Sequence, residues 1–225
     1  MAGKPYRLIC FDVDGTLLDN VKFSWQLFHD HFNVDSHRRE QGKKAFLKGD
    51  ISYLQWAEHD VGLWKEKKVR KQDFFAAIDK HNIRLADGAG ETLETLKKKG
   101  MKLGVISGSL NVMLERFLPD YDSIFDDVFL SRLTFDENNV INGVIATPYD
   151  IEHKATALRM IAEREKIPLE QTVFVGDYLN DLHVLQLAGL GIAFNAKHQE
   201  VKDAADIVVD SGNMRDILPH VLKDQ

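Results

Sequence analysis

After Asp87-Gly88 the chain settles into a rhythm that constrains its fold more than any other feature. Short apolar runs, most of them ending in polar or glycine-bearing turns, alternate with segments of helix length. Residues 101–106 run into Ser107-Gly108-Ser109, and 172–175 run into Gly176-Asp177. Residues 191–194 and 207–209 close the series, and 125–130 read as a further strand. Residues 133–146 read as a hairpin turning at Glu137-Asn138-Asn139. Helices are predicted over 90–99, 110–117, 152–166 and 180–188. The first ends in a lysine run and Gly100, a suitable C-terminal stop. Strands alternating with helices of this length imply right-handed βαβ units and a parallel sheet. In such sheets ligands bind at the carboxyl ends of the strands.

One strand precedes this series. Residues 6–11 form a short apolar run that ends in Asp12-Val13-Asp14-Gly15-Thr16. The texture then changes: 17–85 are rich in helix formers, aromatics and charge. Amphipathic helices are predicted near 20–32, 37–48, 51–64 and 70–81, with no strand among them and with Asp50 or Ser52 as N-cap of the third. The expected fold class is therefore α/β: a Rossmann-like parallel sheet core, 1–16 and 88–225, with an α-helical cap, 17–87, inserted after the first strand. Trp25, Trp56 and Trp64 are expected to form the core of that cap.

Polar clusters end three of these strands, and a lysine opens a later helix. Asp12 and Asp14 follow the first strand, and Ser107-Gly108 the second. Asp177, with Asn180 and Asp181, follows a later one. Lys154 opens the helix after the hairpin. Singly, each has a plain structural reading, as a turn, an N-cap or a solvated lysine. Their occurrence in order at strand-to-helix junctions, facing one crevice, favours a site. Carboxylates gathered this way repel one another unless a cation lies between them. Oxygen donors without His or Cys favour magnesium over zinc. Lys154, Ser107 and the amides near Gly108 and Gly15 supply donors for an anion. Such an ensemble suits phosphoryl transfer, in which positioning and charge neutralisation dominate. A carboxylate here can also serve as nucleophile.

Composition narrows the partners. The chain carries 29 basic and 35 acidic residues, a formal charge of -6, which weighs against nucleic acid as main partner. No apolar stretch approaches the roughly 18 residues of a membrane span. Only four apolar residues follow Arg7, too few for the apolar region of a signal peptide, so a cytoplasmic setting is expected. The single cysteine, Cys10, excludes an internal disulfide and a paired-thiol metal site and reads as a small buried hydrophobe. His29 and His31 lie two apart, do not share a helix face, and are expected at the surface. Gly189 and Gly191 follow a helix and precede a strand, the wrong context for a dinucleotide loop.

Phe11-Asp12-Val13-Asp14-Gly15-Thr16, Ile106-Ser107-Gly108, Lys154 and Gly176-Asp177-x-x-Asn180-Asp181 resemble the four motifs of the haloacid-dehalogenase-like superfamily. The stretch 175–197 is similar to its phosphoserine phosphatase branch. The resemblance implies a magnesium-dependent phosphatase acting on a small phosphomonoester. Asp12 would be nucleophile and metal ligand. Asp14 would be general acid and then base, its carbonyl also on the metal. Ser107, Gly108 and Lys154 would hold the phosphoryl group, Asp177 would complete the metal site, and Asn180 and Asp181 would support it. Asp14 sets the chain apart from dehalogenases and ion-pumping ATPases, and fits a leaving group that needs a proton. Three departures bear on substrate, the first being Gly15, where the phosphoserine enzymes usually carry Ser. Val21 stands where the phosphoserine enzymes carry a substrate-binding Glu. The stretch 49–64 holds no Arg to meet a substrate carboxylate, which leaves Arg70 and Arg84 by elimination. A sugar phosphomutase and a non-catalytic binding module on the same fold are the alternatives. Oligomeric state is not readable from the sequence.

Overall fold

The computed structural model of the chain describes residues 5–149 and 153–223. In chain order the elements are β1 (Leu8–Phe11), β2 (Leu18–Asp19), α1 (Ser24–His31), α2 (Ser36–Leu47), α3 (Tyr53–Glu66), α4 (Lys71–Lys80), β3 (Arg84–Leu85) and α5 (Ala89–Lys98). There follow β4 (Lys102–Leu110), α6 (Asn111–Phe117), α7 (Tyr121–Ile124), β5 (Asp127–Phe135), β6 (Ile141–Ile145) and α8 (Lys154–Glu165). The chain closes with β7 (Thr172–Gly176), α9 (Leu182–Leu187), β8 (Leu190–Phe194), α10 (Gln199–Ala204), β9 (Ile207–Val209) and α11 (Leu218–Val221).

Seven strands form one sheet in the order β6-β5-β4-β1-β7-β8-β9, parallel throughout except for the antiparallel edge strand β6. β1 lies at the centre, between β4 and β7, and its four residues are all buried. Side chains alternate across a strand, and β1 divides accordingly. Ile9 and Phe11 join the apolar cluster that continues under the helical insert. Leu8 and Cys10 join the opposite cluster, with Leu158 and Ile161 of α8 and Leu185 of α9. A sheet covered on both faces explains why β1, β7 and β8 read as unbroken apolar runs.

The four insert helices are observed within a few residues of expectation. Ser52 caps α3, with Gln55 reciprocating. Trp64 is buried at the centre of the insert, packed edge-on against Phe28 and Phe74. The expectation of no strand in this region is corrected. Where the insert leaves and rejoins the core, Leu18 pairs with Leu85 and Asp19 with Arg84 in a two-stranded ribbon too short to give a sequence pattern. The strand read at 125–130 and the first arm of the hairpin are one continuous strand, β5. Its partner β6 is tied to the insert by an Arg70–Val140 bridge and an Ile141 N–H donating to the Val69 carbonyl. Glu152, read as the start of a helix, lies outside the described residues; the observed helix begins at Lys154. Among the described residues no helix is long and apolar enough to cross a membrane.

Candidate active site

Asp12 is the first residue beyond β1, and its amide donates to the Val175 carbonyl of neighbouring β7 at 2.9 Å. That bond continues the sheet by one residue and fixes Asp12 at the carboxyl end. Gly15 then takes φ +84°, a left-handed conformation that glycine adopts without steric cost. Its amide donates to the Leu18 carbonyl and closes the turn at 2.9 Å. Thr16 donates through Oγ1 to Asp177 Oδ1 at 3.0 Å, linking the turn after β1 to the turn after β7.

Lys154 is 1% exposed and Asp181 is fully buried. Lys154 Nζ lies 2.7 Å from both Asp12 Oδ1 and Asp181 Oδ1. Burial alone would push the lysine down, but the two carboxylates outweigh it and hold the ammonium well above its ordinary range. Asp181 also accepts from the amides of Asp177 and Tyr178 at 3.0 and 3.1 Å. It is thus fully engaged in holding Lys154 and the turn after β7. Burial, reinforced by the charges of Asp12 and Asp181, drives Asp177 above the usual carboxylate range.

The Asp14 carboxylate is held at both oxygens. Ser109 Oγ donates to Oδ1, and the Ser24 amide donates to Oδ2, each at 2.6 Å. Burial pushes its pKa up to about 6, against the pull of these two donors. Ser107 is buried in β4 and accepts from the Ser109 amide. The Gly108 carbonyl accepts from Trp25 Nε1 at 2.9 Å.

The structure therefore brings Asp12, Asp14, Ser107, Gly108 and Asn180 onto one cavity of about 640 Å³. Lys154, Asp177 and Asp181 stand around Asp12. Carboxylate oxygens of Asp12, Asp177 and Asp181 fall within 4.8 Å of one another. An all-oxygen donor set, whose burial and then mutual repulsion raise the pKa of Asp177, fits a hard divalent cation.

Other expectations are corrected. Only Trp64 is cap core alone; Trp25 and Trp56 line the cavity. His29 is 2% exposed, with Nε2 at 3.1 Å from buried Asp60. Arg70 and Arg84 do not line the cavity: Arg84 pairs with Asp19 on the surface, and the Arg70 amide is capped by Asp73. The cavity arginine is Arg39, on α2. It escaped notice because Arg38-Arg39 stands in a charge-rich helix with no apolar stripe to show which face turns inward. Ser24 and Ser109 were missed too, since single serines carry no pattern. Cys10 is buried as expected, and burial holds its thiol far above the ordinary range.

Residues 9–186 match the family model of haloacid dehalogenase-like hydrolases. A phosphoserine phosphatase of Methanocaldococcus jannaschii is 30% identical over 97% of this chain and 99% of its own length. One of Lactococcus lactis is 34% identical over 96% and 95%. The chain spans 48% of a phosphoserine phosphatase of Mycobacterium tuberculosis to which it is 31% identical. Among solved structures, a phosphoserine phosphatase described as a phospho-aspartyl intermediate analogue superposes with TM-score 0.70 at 29% identity. That match covers 97% of this chain and 100% of the other. A substrate-bound phosphoserine phosphatase gives 0.71 at 28%, over 97% and 99%.

Proposed function

The chain belongs to the haloacid dehalogenase-like hydrolases, and from that premise we propose that it is a magnesium-dependent phosphatase acting on a small phosphomonoester through an aspartyl-phosphate. The observation that carries this reading is the pairing of Asp12 and Asp14. One carboxylate is ion-paired to Lys154 at 2.7 Å, the other is held by Ser24 and Ser109 with a pKa near 6, and both face one cavity.

In the first half-reaction an Asp12 carboxylate oxygen attacks phosphorus and the ester P–O bond breaks. The departing alkoxide takes its proton from Asp14, whose raised pKa allows it to carry one near neutrality. Ser107, the backbone at Gly108 and Lys154 hold the phosphoryl oxygens. Lys154 stays charged because Asp12 and Asp181 surround it. In the second half-reaction Asp14 takes a proton from water. The water oxygen attacks phosphorus, the acyl-phosphate bond breaks, and Asp12 and inorganic phosphate are released. Asp12, Asp177 and the Asp14 carbonyl are the groups that would hold Mg2+, which when bound neutralises phosphate charge. Asn180 and Asp181 support that arrangement, Asp181 through Lys154.

For phosphoserine, the substrate of the similar enzymes, this chain lacks the Glu that the resemblance implies for its recognition. Val21 is buried among apolar neighbours and offers no ligand. The test is phosphate release from a panel of phosphomonoesters with magnesium, on wild type and Asp12→Asn together. Stoichiometric phosphate, abolished by chelator and by Asp12→Asn, is expected. Release surviving in Asp12→Asn removes the nucleophile, and phosphoryl return to the substrate without release points to a mutase.

A further inference from the structure

Much of the cavity wall comes from the helical insert, and the part supplied by α2 and α3 differs in chemistry from the Asp12 and Asp14 end. Arg39 and Lys43 of α2 line it, with Tyr53 and Trp56 of α3 beside them. Lys43 has no carboxylate partner among the described residues. Arg39 donates through one Nη to Gln26, and its Nε stands 3.8 Å from Asp60. Its other Nη has no partner among the described residues. Asp60, the one carboxylate on this wall, is buried and shared with His29 and His59 at 3.1 Å each. The wall is therefore net positive, with donors to spare.

The aromatic part is built as well. Trp56 stacks on Phe46 at 4.8 Å and 17°, with Tyr53 packed edge-on at 6.0 Å. The indole N–H of Trp56 has no hydrogen-bond partner among the described residues. About 640 Å³ lies in the middle of the range for pockets that enclose drug-sized ligands. A phosphoryl group and a few further atoms would leave most of it empty.

We propose that Arg39 and Lys43 form a second anion subsite, and that the preferred substrates are phosphomonoesters of ring-bearing alcohols carrying a second negative charge. This rests on the phosphatase reading. The ring lies against Trp56 and Tyr53, and its distal anion meets the guanidinium and ammonium of α2. Arginine suits this position because its planar fork meets a carboxylate or phosphate with paired donors.

The probes are benzyl phosphate, its 3- and 4-carboxy derivatives, the uncharged 4-carbamoyl derivative, and phosphoserine, all with magnesium. The benzyl esters share leaving groups of nearly equal basicity, so kcat/KM differences among them report the ring substituent. At least one carboxy ester is expected to exceed both benzyl and carbamoyl esters by about tenfold, mostly through KM. A charge-assisted contact of about 1.4 kcal/mol gives that factor. Lys43→Glu alters an exposed side chain without an ion pair and is expected to reduce the ratio at least severalfold. Arg39→Met combined with Lys43→Met is expected to bring it to about one. A wild-type ratio near one, a ratio unmoved by the variants, or a tenfold preference for phosphoserine over every benzyl ester overturns the subsite while leaving the phosphatase intact. Failure to release phosphate from any probe overturns both readings together.

Discussion

Ser24 and Ser109 hold one oxygen each of Asp14, Ser24 from the first turn of α1 and Ser109 from β4. Their own hydroxyls lie 3.2 Å apart. The carboxyl is thus fixed toward the cavity rather than free to rotate toward Asp12. Asp14→Asn is expected to lower kcat by about 10²–10⁴, the usual worth of a positioned acid–base group. Ser109→Ala leaves the carboxyl in place but removes one donor, and about tenfold in kcat is expected, consistent with a net hydrogen-bond contribution near 1–1.5 kcal/mol. Steady-state kinetics separates the two parameters. An effect of Ser109→Ala confined to KM would show that the serine contacts substrate and does not orient Asp14.

Within the insert, helices α1, α2 and α3 meet at a buried polar knot. His29 contacts Asp60 Oδ2 at 3.1 Å and lies beside the ring of Trp64, and Arg39 approaches the same oxygen at 3.8 Å. Burial lowers the His29 pKa below its usual 6.5, more than the attraction of Asp60 and Asp30 raises it, and Arg39 adds to the lowering. The unfolded chain therefore binds a proton near pH 6.5 that the folded chain refuses. Stability from this group is present above that pH and is lost as pH falls toward the folded value, by at most about 1.4 kcal/mol per unit. Urea titrations at pH 7.5 and 5.5 should show a larger loss for wild type than for His29→Gln. Equal losses would mean that the imidazole is charged in the folded state. The surface expectation for His29 failed because spacing to His31 says nothing about which face each residue presents. Phe28, Trp64 and Phe74 decide that, and they come from three different helices. The helices themselves were readable because local signals suffice for them, such as Ser52 with Gln55 at the start of α3. The ribbon of β2 and β3 was not, since two residues cannot show a period.

For the molecule as a whole, Asp12, Asp14 and Asp177 were legible because each follows a buried strand, where an apolar run stops at a polar turn, and Lys154 because it opens the helix after the hairpin. The proposed anion subsite was not, because Arg39 and Lys43 acquire meaning only when folding brings α2 onto the same cavity as Asp12 and Asp14. We propose the division into a core, 1–16 and 88–225, and a cap, 17–87, as a topological one that does not separate two thermodynamic units. One apolar cluster runs from Ile9, Phe11 and Val105 in the sheet through Leu18 and Val21 to Phe28, Trp64 and Phe74 in the insert. The hairpin of β5 and β6 adds backbone hydrogen bonds to the insert at Val69 and Lys71. Parts joined by a continuous core unfold together. All three tryptophans, Trp25, Trp56 and Trp64, lie in the insert, so their fluorescence follows the cap and, through the bond from Trp25 to Gly108, its junction with the core, whereas far-UV circular dichroism follows every helix. Midpoints of thermal or urea unfolding by the two probes are expected to coincide. Trp64→Ala, at a cost of about 3–5 kcal/mol for an aromatic removed from a core, should move both midpoints by the same amount. A fluorescence transition that precedes the dichroism transition, with only the former shifted by Trp64→Ala, would make the cap an independent folding unit.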